Sequence, residues 1–167
     1  MLSQPVMIPG DLLVQGAINA QAISLPDNSV YDRHILAGAN IAATKLQQSP
    51  RVTYSQDLGQ TAQAAEEVLH FVYGSVGTLV RFCAGMVTPC SGDATVTVDL
   101  RKNGTSVLQS PITLDSSQSG YETVNAIFST TSVAAGDVLS IHISVNAGTG
   151  SLGSGLFGYL TLHEAAQ

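Results

Sequence analysis

The chain lacks tryptophan, has two cysteines, and is poor in aromatic (5%) and charged (11%) residues. Average globular proteins carry roughly 25% charge, so this surface is covered by Ser, Thr, Gln and Asn or buried against partners. The shortage of large rings leaves few platforms on which a sugar can stack. No run approaches the roughly 18 apolar residues of a transmembrane helix, and no basic segment precedes an apolar stretch at the N-terminus. Neither a membrane span nor a secretory signal is expected. Cys83 and Cys90 would lie roughly 23 Å apart along a straight strand, beyond disulfide reach. A turn near Gly85 would bring them together, so a bridge stays open beside the reading of two reduced thiols, which fits a reducing cytoplasm.

The charge that is present is unevenly placed. Residues 1–56 hold Asp11, Asp27 and Asp32 against Arg33, Lys45 and Arg51, and are neutral. Residues 57–167 hold nine acids against Arg81, Arg101 and Lys102, a balance of −6. Such a domain repels a phosphate backbone, so no nucleic-acid partner is expected.

The neutral stretch reads as an extended arm. Leu12 to Ala20 alternates small apolar and polar residues but is too short and small-sided to close a core. Leu25-Pro26-Asp27-Asn28 has turn chemistry. Asn40 is suited to cap one short helix over Ile41–Leu46, too brief to stand without tertiary contacts. Pro50 ends this region, and Arg51-Val52-Thr53-Tyr54 begins extended structure.

From Ala64 the apolar period is two. Val68, His70 and Val72 oppose Leu69, Phe71 and Tyr73, and Val80, Phe82 and Ala84 share a face in the next run. Val96, Val98 and Leu100 then point inward, with Thr95, Thr97, Asp99 and Arg101 outward. Asn103-Gly104 is a strong hairpin signal, because both residues tolerate positive φ. Further strands are expected over Ser106–Leu114, Tyr121–Ser129, Val138–Val145 and Leu156–His163. Seven or eight strands with turns at this spacing predict an all-β, antiparallel, jelly-roll-like sandwich over residues 57–167, preceded by the extended arm at 1–56 with its one short helix.

Chemistry finds little support. Gly148-Thr149-Gly150-Ser151-Leu152-Gly153 has the letters of a dinucleotide loop, but it joins two strands with no helix to follow. Asn103-Gly104-Thr105 is a glycosylation sequon whose residues the turn already demands. His34, His70, His142 and His163 lack metal-ligand spacing. Asp93, Asp99, Asp115 and Asp137 each fall in or beside a predicted turn, where Asp serves the backbone. No catalytic residue, metal or cofactor is assigned, and an enzyme is not expected.

Asp11-Leu12-Leu13-Val14-Gln15-Gly16-Ala17-Ile18 resembles the L-x-V-x-G-x-I repeats of trimeric bacteriophage fibre stems. His34-Ile35, Ala39 to Gln47 and Ala94 to Gly104 resemble small virion proteins of tailed bacteriophages, capsid decoration (cement) proteins among them. The resemblance implies a homotrimer on the outer surface of the capsid, assembled in the host cytoplasm, with the arm lying on the major capsid protein. Leu12, Val14, Ile18, Ile23, Ile35, Ile41 and Leu46 are the expected capsid or trimer contacts, since one chain alone would leave them in water. The alternative is a phage fibre or spike whose sandwich binds host glycan, with Tyr121, Phe157 and Tyr159 as the candidate rings.

Overall fold

The computed structural model describes residues 47–48, 50–73 and 76–165. The expected arm contacts Leu12, Val14, Ile18, Ile23, Ile35, Ile41 and Leu46, and the short helix at 41–46, lie outside the described residues. The described residues form an antiparallel β-sandwich. Its strands are β1 (Gln47–Gln48), β2 (Arg51–Ser55), β3 (Ala65–Phe71), β4 (Val76–Thr88), β5 (Thr95–Lys102) and β6 (Thr105–Ser106). They continue with β7 (Ile112–Leu114), β8 (Thr123–Asn125), β9 (Ser132–Ala134), β10 (Val138–Asn146) and β11 (Ser154–Ala165).

One sheet runs β2–β11–β4–β8, with β1 also on β11 and β9 also on β4. The other runs β3–β10–β5, with β6 and β7 both on β5. The chain switches sheets at β2–β3, β3–β4, β4–β5, β7–β8, β9–β10 and β10–β11, which is jelly-roll connectivity. Strand β2, whose Tyr54 reaches the core, already belongs to the sandwich, a few residues before the expected start at 57.

Alternation puts one side of each long strand into a shared core. Val96, Val98 and Leu100 of β5, Leu139, Ile141 and Ile143 of β10, and Leu156, Leu160 and Leu162 of β11 are buried. Burying each such side chain contributes roughly 1.5–3 kcal/mol before entropy is counted. Asn103 (φ 51°) and Gly104 (φ 82°) make the expected two-residue turn, closing β5 onto β6. Cys83 and Cys90 are both buried free thiols. Strand β4 runs straight through Gly85, so the turn that would have joined them is not made.

Two irregularities break the simple alternation. Leu162 pairs with Leu79 where Thr161 has paired with Arg81, so Val80 is the extra residue of a bulge in β4. Leu79 takes the inward place and Val80 is 46% exposed, contrary to the face expected for Val80 with Phe82 and Ala84. In β3, Leu139 faces His70 and Ser140 faces Val68, skipping Leu69. Val72 is consequently buried while Val68 is 66% exposed, although the strict period put them together. Asp99 also departs from expectation. It lies in mid-strand rather than beside a turn and is only 6% exposed, covered by Ser106 (Oγ to Oδ1, 2.7 Å) and Arg101 (Nε to Oδ2, 3.2 Å).

A polar contact helps tie the two sheets together. His70 Nε2 on β3 lies 2.7 Å from Glu164 Oε1 on β11, whose carboxylate is almost fully buried. Removing the imidazole strands that carboxylate. His70→Ala is expected to lower unfolding free energy by roughly 1–3 kcal/mol, and a double-mutant cycle with Glu164→Ala should show the two effects are not additive. The bulge yields a second expectation. Phe82→Ala should cost about 3–5 kcal/mol, whereas Val80→Ala should stay within about 0.5 kcal/mol, both read from urea unfolding.

Candidate functional site

Four of the chain's Lys and Arg residues lie among the described residues, and they divide into two kinds. Arg101 approaches Asp99 (3.2 Å) and Glu66 (3.6 Å), and Lys102 approaches Asp137 (3.8 Å). Arg51 and Arg81 have no carboxylate within salt-bridge distance among the described residues. These two stand on the outer face of the larger sheet, on either side of Thr161, which pairs with both. Two strand spacings set their Cα atoms about 10 Å apart.

The face is built by alternation from the same strands that fill the core. Inward Leu160 and Leu162 leave Tyr159 and Thr161 outward, and inward Tyr54 leaves Thr53 outward. The β4 bulge then sets Val80 and Arg81 side by side on the exposed surface. Arg51, Thr53, Val80, Arg81, Tyr159 and Thr161 line a shallow depression of about 480 Å³. The Arg81 guanidinium carbon lies 5.2 Å from the Tyr159 ring centroid, and its Nε donates to Asn125 Oδ1 at 2.8 Å. The guanidinium is thus held on two sides. Desolvation holds the Tyr159 phenol above its ordinary pKa, reinforced by the Cys83 thiol, while Arg81 and Arg51 pull it back. The phenol is therefore a neutral hydroxyl at physiological pH.

Phe157 lies two residues before Tyr159 and projects on the same side, over Gly85; a Cβ at Gly85 would run into the Phe157 ring and the Glu122 carbonyl. The larger sheet therefore brings together two of the three rings named from sequence. Tyr121 is 71% exposed on the loop before β8, at φ 65°, a backbone region unusual for a bulky residue. The two arginines were not singled out from sequence. The signal available was their parity with Tyr159 and Thr161, which the Val80 bulge obscured.

The outer face of the smaller sheet holds Glu66, His142 and Asp99 in one cross-strand row. Ser144 Oγ lies 3.3 Å from His142 Nε2, and Glu66 Oε2 lies 3.6 Å from Nδ1. A Ser–His–carboxylate order is thus present by residue type. The second distance exceeds a hydrogen bond, and Nδ1 has no hydrogen-bond partner, so nothing orients the imidazole as a base. Among the described residues no three His, Cys, Asp or Glu converge to hold a metal ion. His34 lies outside them.

The remaining aspartates clamp loops. Asp93 Oδ1 accepts the Thr149 amide (2.7 Å) and hydroxyl (3.0 Å), so the Gly148–Gly153 loop closes around a carboxylate of its own chain. Asp115 accepts from the Ser117 amide at 2.7 Å. Asp137 accepts from the Ala134 amide (2.9 Å) and Asn103 Nδ2 (2.7 Å), while Asn103 Oδ1 accepts the Val138 amide (2.9 Å). The sequon asparagine is therefore occupied in joining two turns. Backbone amide donors are the leading cause that depresses Asp93 and Asp137, and the Ser117 hydroxyl leads for Asp115. A depressed folded pKa stabilises the fold above the unfolded value near 3.8 and is lost as pH falls through the lower folded value. The stabilisation these three carboxylates contribute should therefore be fully present above about pH 4 and decline below it. Asp137→Asn should blunt that decline in an acid titration followed by circular dichroism.

No protein-family model matches the chain, and no curated protein matches it. Among solved structures, one titled Desmodium yellow mottle tymovirus is similar with 12% identity over 96% of each chain, at a TM-score of 0.31.

Proposed function

We infer that the protein is a structural virion component, a homotrimeric decoration or cement protein. Its β-sandwich faces water on the capsid outer surface, and its N-terminal arm lies on the major capsid protein, bridging subunits. One observation carries this reading. The described residues close a core from Tyr54 to Leu162, yet the chain places a sparsely charged stretch of small apolar residues, with three acids against two bases over 1–50, ahead of that domain. Apolar residues beyond what a core requires are suited to burial on partners, while a sandwich with nine acids against four bases over residues 51–167 stays in solvent. Trimeric attachment multiplies modest arm contacts through avidity. The reading involves no catalytic step.

A second reading, a fibre or spike module that binds glycan, is favoured by Phe157 and Tyr159 projecting from one face beside two arginines. The two readings are compatible, because a sandwich displayed on a particle also displays its outer sheet.

Deleting residues 1–46 spares β1 and β2. The truncated chain should keep a cooperative thermal transition while losing co-sedimentation with particles. Full capsid binding by this variant would sink the arm assignment. A full-length chain that is monomeric by native mass spectrometry and absent from purified virions would sink the decoration reading.

A further inference from the structure

We propose that the depression between Arg51 and Arg81 binds a carboxylate-bearing sugar, of the uronic acid class, within an acidic polysaccharide. The inference rests on the glycan-binding reading and gives that reading its ligand chemistry; it is independent of the decoration reading.

The first ground is charge. The described sandwich is acidic, yet the two arginines with no carboxylate partner among the described residues stand together, flanking a single residue of the central strand. Mixed acids and bases elsewhere neutralise one another, as Arg101 does with Asp99 and Lys102 with Asp137. A locally uncompensated pair selects an anion. Guanidinium matches carboxylate by parallel hydrogen bonds, which are stronger than neutral ones.

The second ground is the company these arginines keep. Thr53 and Thr161 supply hydroxyls that both donate and accept, as sugar hydroxyls require. Tyr159, kept neutral, adds a third hydroxyl and an aromatic surface. Val80, turned out by the bulge, adds the small apolar contact that a sugar ring's C–H face prefers. A volume of about 480 Å³ is within the range of sites for small ligands.

The third ground is pre-organisation. Arg81 is held by the Tyr159 ring and by Asn125 Oδ1, which lowers the side-chain entropy lost when an anion binds. The bulge that places Arg81 here belongs to the longest strand pairing in the sandwich, so the site stands on a rigid element. Flat acidic surfaces of proteins offer carboxylates too, but not the ring-and-hydroxyl surface that Thr53, Thr161 and Tyr159 complement.

The test titrates the full-length chain with galacturonic acid oligomers, their methyl-esterified counterparts and poly-glutamate, each followed by calorimetry at low and moderate salt. Binding of the acid oligomer is expected, weakening as salt rises. It should fall about ten- to hundredfold with the methyl ester or with Arg51→Gln/Arg81→Gln. That variant's melting temperature should be unchanged, both side chains being exposed. Arg51→Lys/Arg81→Lys should retain part of the affinity. Equal affinity for acid and ester overturns the acidic-sugar inference while leaving the glycan reading standing. Full binding by Arg51→Gln/Arg81→Gln overturns the site. Binding of neither oligomer overturns both, and binding of poly-glutamate alone overturns the inference in favour of a protein-docking face.

Discussion

The antiparallel pairing of β4 with β11 is the constraint on which the rest of the structure depends. It aligns segments from opposite ends of the domain, from Ser154 opposite Thr88 to Glu164 opposite Gly77. Its inward side supplies Leu79, Phe82, Ala84, Leu156, Leu160 and Leu162 to the core. Its outward side supplies Arg81, Tyr159, Thr161 and Phe157. Neither side can move without the other, because a one-residue slip exchanges the two faces. The single bulge at Val80 changes the face of one part of β4 relative to the rest, and it puts Arg81 opposite Thr161.

Electrostatics in this domain act locally more than globally. A surplus of acid is handled by giving most carboxylates backbone amides or a cation. Asp93, Asp115 and Asp137 each accept from main-chain N–H groups in loops, the contacts that fix turn geometry in the absence of helices. Glu164 is treated differently, being buried against His70 from the opposite sheet. Arg51 and Arg81 are what remains once these local pairings are made.

Much of the fold was legible in the residues. The strict alternation of Val96, Val98 and Leu100 gave β5 and its inward face, and Asn103-Gly104 gave the hairpin. Lack of a following helix disposed of the Gly148–Gly153 pattern, and Asp93 now accounts for how that loop closes. The errors share one cause. Val68 and Val80 were assigned by a period of two that a bulge interrupts, and a bulge is set by register against a partner strand far away in sequence. The extended character of Arg51 to Tyr54 was legible, but its membership of the sandwich was not, because that is fixed by pairing with β11.

The sequence by itself determined the class of fold, the separation of a neutral N-terminal stretch from an acidic domain, and the absence of familiar catalytic motifs, because composition and alternation are local properties. Only the tertiary structure decided which outward residues share a surface. Arg51, Arg81 and Tyr159 lie far apart along the chain and meet because three strands pair in the order β2–β11–β4. Burial decided the rest, admitting Asp99 and Glu164 where hydrogen bonds and a histidine compensate for lost water, which no local pattern records.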